Sequence, residues 1–317
     1  MMEALIPYLL LLAGLALIVG GADILVDGSS SIARRAGISE FVIGLTIVGF
    51  GTSCPELVVS LNGAIKGLAD ISVGNVVGSN IFNTLLILGV TALITPIPIT
   101  ESNRRTDIPV CMFVTLLLLF FGLYNADISR LEGIIFLCVF AAYIYFCFKT
   151  GKSIEETEEE GEAAKPKPVW LAIILTVAGL AALVFGGKLF VDAATTLARS
   201  WGVSDKFIAV TLLAGGTSLP ELATCVVAAF KRKGQLALGN ILGSNVFNIL
   251  LILGSSAVVT PLRFVSISAV DLAVMLAAVL LVFTSSYTGK RDLLDRFDAS
   301  LLLLVEVGYL AWLYITL

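Results

Sequence analysis

The sequence has no histidine, few charged residues and no cysteine pair at metal-binding spacing. Charged side chains make up 14% of its 317 residues, hydrophobic ones make up 58%, and the mean hydropathy is +1.00. The missing histidine and the absence of a Cys-x-x-C motif argue against a zinc site and against His-based catalysis. The low charge content argues against an ordinary soluble domain, in which about a quarter of residues are charged. The composition therefore predicts a membrane protein.

Apolar runs of about 20 residues recur along the chain, and each is long enough to cross the roughly 30 Å hydrocarbon layer as a helix. The first run lacks a basic segment and a cleavage site, so we expect a retained helix and not a signal peptide. We predict an all-α polytopic membrane protein of ten transmembrane helices. The predicted spans are residues 4–33, 39–65, 70–94, 107–124, 128–149, 169–199, 204–230, 235–259, 267–285 and 297–316.

The distribution of Lys and Arg predicts the orientation of these spans. With the N-terminus outside, the inner loops hold 14 of the basic residues and the outer loops hold 5. Basic residues concentrate in cytoplasmic loops. We therefore expect a multi-pass protein of the cell membrane with both termini extracellular. The acidic run at residues 155–162 would then lie in a solvated cytoplasmic linker.

The two halves of the chain repeat each other at an offset of 165 residues. Residues 74–89 and 239–254 are identical at 12 of 16 positions, and no gap is needed between Asp27/Asp192 and Pro96/Pro261. Each copy holds five predicted spans, and because five is odd the second copy enters the membrane inverted. Inverted repeats are typical of transporters, although a duplicated bundle without a transport role is the alternative. The predicted domains are a first repeat (1–149), a linker (150–168) and a second repeat (169–317).

The motif Gly-Thr-Ser-x-Pro-Glu occurs once in each repeat, in its second predicted span. Pro55 and Pro220 have no N–H, so a helical turn is predicted to open in the middle of the membrane. Hydroxyl and carboxylate oxygens gathered at such a break suit a hard cation such as Ca²⁺, Na⁺ or Mg²⁺ and not a soft metal. The candidate ligands from this motif are Thr52, Ser53, Glu56, Thr217, Ser218 and Glu221.

A simpler interpretation of this motif is a proline kink whose glutamate pairs with a basic residue. A carboxylate at the bilayer centre costs about 2.5 to 3.5 kcal/mol, so it needs a partner. No Lys or Arg is predicted at that depth in any span. A dissolved cation is therefore the preferred partner.

The third span of each repeat carries Gly-Ser-Asn-x-Phe-Asn. A spacing of four residues places its serine and its last asparagine on one helical face, where they can offer neutral oxygens to a cation. These candidates are Ser79, Asn83, Ser244 and Asn248. Such polar residues can instead hold helices together. We favour the cation role for Asn83 and Asn248 and leave both roles open for Asn75, Asn80, Asn240 and Asn245.

The paired motifs resemble the alpha repeats of the calcium/cation antiporter superfamily, most closely its prokaryotic-type sodium/calcium exchangers. The resemblance covers essentially the whole chain. It implies ten helices, exchange of Na⁺ for Ca²⁺ and one cluster of ion sites built from the residues above. It adds backbone carbonyls near Gly49 and Ala214 to that cluster. It also implies sliding first and sixth helices, for which Gly20, Gly21, Gly186 and Gly187 are expected to provide close contact.

The chain departs from the family pattern at two pairs of positions. Many relatives carry an acid at one or both positions equivalent to Asn83 and Asn248, and the potassium-dependent branch uses aspartate there. Asparagine at both positions argues against potassium coupling. Cys54 and Cys225 stand where the family more often has an aliphatic or small residue, and they are expected either to pack or to be able to crosslink.

The expected function is alternating-access antiport of Na⁺ and Ca²⁺ at a midplane carboxylate site. The alternatives are a Ca²⁺/H⁺ antiporter and, with less support, a cation channel. Without histidine no set of nucleophile, base and orienting group is evident, so an enzyme is not expected. The expected partners are the two ions and the lipid bilayer, with no nucleic acid and no cofactor, and the protein is expected to be a monomer.

Overall fold

The computed structural model describes residues 2–124, 127–150, 166–203, 214–265, 267–288 and 292–316, and helices dominate it. The α-helices are Met2–Ala36, Glu40–Ile43, Gly49–Thr52, Cys54–Ile65, Ala69–Phe82, Leu88–Ile94, Ile108–Tyr124, Arg130–Thr150, Val169–Ser200, Ala214–Gly216, Leu219–Phe230, Gly234–Val246, Gly254–Val259, Ala269–Ser285 and Arg296–Thr316. Short π-helical segments continue several of them: Gly44–Val48, Asn83–Ile87, Asn103–Asp107 and Phe247–Leu253.

Within these described ranges, seven helices are long and apolar enough to cross a membrane, and an eighth span is formed if the bent pair Glu40–Thr52 and Cys54–Ile65 counts as one. Leu219–Phe230 and Ala269–Ser285 are apolar but shorter. The predicted span at 204–230 and the acidic linker fall partly or wholly outside the described residues. The all-helical membrane architecture is thus confirmed, and the count of ten spans stays a prediction.

Four two-residue strands were not predicted from the sequence. Strand β1 (Ile97–Pro98) pairs antiparallel with β4 (Leu293–Leu294), and β2 (Asp127–Ile128) pairs antiparallel with β3 (Leu262–Arg263). Strands β1 and β3 occupy equivalent positions in the two repeats. Strand β1 of the first repeat pairs with β4 of the second, and β3 of the second repeat pairs with β2 of the first. Ladders this short give no alternating pattern in the sequence, because period-2 burial needs at least four residues to be visible.

Three pairs of these helical units surround the site. The long helices are Met2–Ala36 and Val169–Ser200, which pack along most of their length. The broken helices are Glu40–Thr52 with Cys54–Ile65, and Ala214–Gly216 with Leu219–Phe230. The amide helices are Asp70–Ile94 and Gly234–Val259, named for the asparagines they carry. Gly234–Val259 is the central helix, because nearly all of its residues are buried inside the protein.

Glycines allow the two long helices to touch backbone to backbone. A Cβ atom at Gly179 would lie 2.7 Å from the carbonyl oxygen of Gly21 and 2.8 Å from the Cβ of Leu25, closer than packed atoms approach. Small residues at such contacts are the usual means of close helix packing in lipid. The glycines at this contact recur every seven residues on each helix: Gly14, Gly21 and Gly28, and Gly179 and Gly186.

The four glycines expected to let the long helices slide against the site-bearing core have different surroundings. Gly21 and Gly186 face the opposite long helix, a Cβ at Gly20 would meet nothing within 4 Å, and one at Gly187 would reach Pro220 of the second broken helix at 4.0 Å. The sliding contact itself stays a prediction. Adjacent residues on a helix point about 100° apart, so only one of each pair can face the neighbouring helix.

An ion-pair cluster joins the first long helix to the end of the second broken helix. Lys231 Nζ lies 2.7 Å from Asp23 Oδ1 and 2.6 Å from Asp27 Oδ1. The repeat counterparts of these residues are Lys66, Lys188 and Asp192, so one acid is replaced by a base. Among the described residues no ion pair joins Lys66 to Asp192. The cluster therefore breaks the symmetry between the repeats.

We expect Gly179→Ala to lower the thermal unfolding temperature of the purified protein by several degrees. Overpacking costs about 1–3 kcal/mol, which exceeds the roughly 1 kcal/mol that alanine gains over glycine in a helix. Gly20→Ala is the matched control, because its new methyl group enters open space and should leave stability equal or higher. Equal unfolding temperatures for Gly179→Ala and Gly20→Ala would contradict the close approach of the long helices.

Candidate functional site

Both broken helices are interrupted at the serine of the repeated motif. The halves Glu40–Thr52 and Cys54–Ile65 meet at 47°. Ser53 has φ −83° and ψ 6°, and Ser218 has φ −88° and ψ 6°, so the two breaks have the same backbone shape. The motif proline follows in the first turn of the next half, where its missing N–H removes no helical hydrogen bond. The predicted break is therefore present in both repeats.

The break places each motif acid at the start of a new helix. Glu56 lies in the first turn of Cys54–Ile65, and Glu221 lies in the first turn of Leu219–Phe230. The N-terminus of a helix carries partial positive charge from its free N–H groups, and this stabilises a carboxylate. The backbone thus compensates part of each negative charge without a basic side chain.

The two acids are held by serines of the opposite repeat. Ser53 Oγ donates to Glu221 Oε1 at 3.1 Å, and Ser218 Oγ donates to Glu56 Oε1 at 3.2 Å. Both glutamates are buried, each with 1% of its surface exposed. The broken helices therefore meet at these residues, and the acids face the protein interior and not lipid.

Four buried carboxylate and amide oxygens around this contact accept no hydrogen bond from the described residues, and the hydroxyl of Thr217 also has no hydrogen-bond partner among them. Two are carboxylate oxygens and two are amide oxygens: Glu56 Oε2, Glu221 Oε2, Asn83 Oδ1 and Asn248 Oδ1. Each pair consists of repeat counterparts. Within the described part of the chain neither acid forms an ion pair with Lys or Arg. Buried polar oxygens without partners are costly, and a bound cation would satisfy all four.

The hydroxyl candidates lie around the same contact. Ser79 Oγ is 3.5 Å from Ser218 Oγ. Thr52 lies beside Glu221 and donates to Asn240 Oδ1 at 3.1 Å. Thr217 lies beside Glu56, which completes a crosswise arrangement of the two threonines.

The backbone candidates are less closely tied to the acids. The carbonyl oxygen of Gly49 accepts from Ser244 Oγ at 3.4 Å and from the N–H of Ser53 at 3.1 Å, so both Gly49 and Ser244 lie at the first break. Ala214 begins the short helix before the second break. Within the described residues no three or more of His, Cys, Asp and Glu cluster as a metal site. A cation here would therefore depend on the amide, hydroxyl and carbonyl oxygens as well as the two acids.

The four asparagines whose role was left open all contact this region. Asn75 Nδ2 donates to the carbonyl oxygen of Glu56 at 3.2 Å, and Asn240 accepts from Thr52. Asn80 accepts from Asn248 Nδ2, and Asn245 accepts from Asn83 Nδ2. Asn80 lies three residues before Asn83, and Asn245 lies three residues before Asn248. This spacing was the available sequence signal, since residues three apart share a helical face.

The two cysteines near the site differ in their surroundings. Cys225 is fully buried and receives a contact from Asn240 Nδ2 at 3.3 Å, in the place where Asn75 donates to Ser60 Oγ in the first repeat. Cys225 is thus a packing residue that substitutes for a serine. Cys54 is partly exposed beside the first break. Both thiols are free, as are those of the other cysteines.

Comparison with known proteins identifies the family. The sodium/calcium exchanger protein family matches residues 6–149 and 171–315, which leaves out little more than the linker. The chain belongs to this family. This exchanger-family protein is 40% identical over 312 residues to the putative antiporter CaxA of Alkalimonas amylolytica, covering 96% of this chain and 98% of that relative. It is 34% identical over 354 residues to the sodium/calcium exchanger MaX1 of Methanosarcina acetivorans, covering 98% and 99%.

Solved structures of the sodium-calcium exchanger NCX_Mj are similar along the whole chain. For the form soaked with 10 mM Na⁺ and 10 mM Sr²⁺, the TM-score is 0.85 at 32% identity, covering 96% of this exchanger-family protein and 97% of that chain. The resemblance inferred from the paired motifs is therefore confirmed. The protein is a prokaryotic-type member of the calcium/cation antiporter superfamily.

We expect Glu221→Gln to keep or raise the thermal stability of the ion-free protein while removing its stabilisation by Ca²⁺. The substitution removes a buried charge without a partner, whereas a bound cation stabilises the wild type by about 2.7 kcal/mol at a concentration 100 times the Kd. The measurement is thermal unfolding of the purified protein with and without Ca²⁺. Asp192→Asn, at an exposed acid of the same repeat, should keep the Ca²⁺ shift. An undiminished shift in Glu221→Gln would show that the acid does not bind the ion.

Proposed function

We propose that the protein exchanges Na⁺ for Ca²⁺ across the cell membrane by alternating access at the pair Glu56 and Glu221. The observation that carries the proposal is the buried pair itself, one acid from each repeat, with one unpartnered oxygen each and no basic partner among the described residues. The names of MaX1 and NCX_Mj as sodium/calcium exchangers support the choice of ions.

Charge neutralisation explains why such a site exchanges ions and does not leak them. Two like unit charges about 6 Å apart repel by roughly 3 kcal/mol at an effective dielectric of about 20, and desolvation adds to this cost. An empty site with both acids ionised therefore resists being sealed from water. One Ca²⁺ or at least two Na⁺ cancel both charges, so only the loaded forms are sealed and turned to the other side. Coupling of the two fluxes follows from this difference.

The neutral oxygens complete the coordination of the ions. Ca²⁺ takes six to eight oxygen ligands, more than two carboxylates provide. We propose that the amide oxygens of Asn83 and Asn248, which have no hydrogen-bond partner among the described residues, supply two of them. We propose that the remaining ligands come from the threonines, serines and carbonyls around the breaks: Thr52, Thr217, Ser53, Ser218, Ser79, Ser244, Gly49 and Ala214.

The proposed architecture is ten helices in two inverted repeats, residues 1–149 and 169–317, joined by the linker at 150–168. Three observations support it. The helix after the break spans Cys54–Ile65 in one copy and Leu219–Phe230 in the other, so both its first and its last residue are shifted by the repeat offset of 165 residues. The serine–glutamate bonds and the strand pairs connect the copies crosswise. The protein works as a monomer in this proposal, with the long helices moving against the site.

Vesicles containing the purified protein and loaded with ⁴⁵Ca²⁺ should release it faster when Na⁺ is added outside. Glu56→Gln and Glu221→Gln should each abolish this acceleration, because one remaining carboxylate cannot neutralise a divalent ion. Asp192→Asn should behave as wild type. Na⁺-dependent efflux that persists in both glutamine variants would overturn the assigned site.

The same vesicles distinguish the rival functions. Efflux driven by an imposed pH gradient in Na⁺-free medium would identify a Ca²⁺/H⁺ antiporter. Efflux that needs no ion on the opposite side would identify a channel. The proposal requires that both be slow compared with efflux in the presence of Na⁺.

Reporter fusions test the proposed orientation, in which both termini are extracellular. Alkaline phosphatase, which is active only outside the cytoplasm, should be active when fused after the last residue and inactive when inserted in the linker at 150–168. A fluorescent protein that matures only inside should give the opposite pattern at the same two positions. The reverse result for both reporters would invert the topology.

A further inference from the structure

Four asparagines on the amide helices are paired across the repeats. Asn248 Nδ2 donates to Asn80 Oδ1 at 2.9 Å, and Asn83 Nδ2 donates to Asn245 Oδ1 at 3.3 Å. All four side chains are buried. An amide whose nitrogen is engaged on one side turns its oxygen to the other side. These are the oxygens of Asn83 and Asn248 that have no partner among the described residues.

A backbone carbonyl fixes the direction of the first pair. Asn80 Nδ2 donates to the main-chain oxygen of Asn245 at 3.2 Å. A carbonyl only accepts hydrogen bonds, so the nitrogen of Asn80 must lie on that side and its oxygen on the other. Asn248 meets this oxygen and must therefore present its own nitrogen. Two hydrogen bonds in series, from Asn248 to Asn80 and from Asn80 to the main chain of Asn245, thus determine the orientation of the Asn248 amide.

A hydroxyl group fixes the second pair less strictly. Asn245 Nδ2 donates to Thr84 Oγ1 at 2.8 Å. A hydroxyl can accept or donate, so Thr84 favours but does not force this orientation of Asn245. The repeat counterpart of Thr84 is Ile249, which can do neither. The two asparagine pairs are therefore unequal, and Asn248 is held more firmly than Asn83.

We propose that Asn80 and Asn245 are positioning residues, which hold the amide oxygens of Asn248 and Asn83 toward the acids so that the site offers oxygen and not N–H to the ion. The proposal rests on the proposed function. A free amide can rotate and present its NH₂ group to a cation, which repels it. Residues that orient a ligand in this way typically change metal affinity by about 10- to 100-fold when removed.

The test is a double-mutant cycle read out as the Ca²⁺ affinity of the purified full chain by titration calorimetry. We expect Asn80→Ala to weaken Ca²⁺ binding by about tenfold and Asn248→Ala to weaken it at least as much. The double variant should bind like Asn248→Ala, because Asn80 acts only through the oxygen that is then missing. Thr91→Val is the matched control, since Thr91 is a buried residue of the same helix whose hydroxyl donates to the main-chain oxygen of Ile87. The Ca²⁺ affinity of Thr91→Val should equal that of the wild type.

Two results would overturn the proposal. One is an unchanged affinity in Asn80→Ala, and the other is a further tenfold loss when Asn80→Ala is added to Asn248→Ala. If Asn80→Ala does not fold, Thr84→Val and Asn83→Ala form the same cycle on the other pair, with a smaller loss of about threefold expected for Thr84→Val because a hydroxyl is the weaker constraint. Additive losses there would equally overturn it.

The failure of this proposal is distinguishable from failure of the proposed function. If the wild type binds no Ca²⁺, or if Glu56→Gln binds it as well as wild type, the proposed function fails. If the wild type binds Ca²⁺ and Glu56→Gln does not, but the cycle shows no coupling, only the positioning role of Asn80 and Asn245 fails.

Discussion

The burial of two acids without a basic partner among the described residues is the constraint around which this protein is built. Glu56 and Glu221 reach the interior from opposite repeats, and each is stabilised by a helix N-terminus and by one serine hydroxyl of the other repeat. These contacts satisfy one oxygen of each carboxylate and leave the second oxygen free. In the proposed function, this remaining negative charge attracts dissolved cations.

The helix breaks serve this arrangement in two ways. A continuous helix would place each glutamate in mid-helix, where no N–H groups are free to stabilise it. The break at Ser53 creates a new N-terminus at the depth of the acid, and the proline that follows it fits the first turn of that new helix. The same backbone conformation at Ser218 gives Glu221 a second such N-terminus.

The sequence was sufficient to predict the parts of the site that depend on residue type and spacing. The motif prolines predicted the breaks, and the repeat offset predicted the paired acids. Features that depend on which way a side chain faces were harder to predict from the sequence. Gly20 and Gly21 are equally small, and only packing shows that Gly21 touches the second long helix. The bond from Asn80 to a main-chain oxygen of Asn245 likewise has no sequence signature.

The cluster at Lys231 gives the two sequence repeats unequal ends. Two copies of identical sequence would make the inward-open and outward-open forms of the carrier equal in free energy. Lys231 binds Asp23 and Asp27, whereas the corresponding positions around Lys66 hold one base and one acid. Under the proposed alternating access, the two forms are therefore unequal in free energy, and the carrier has a preferred resting side before any ion gradient acts on it.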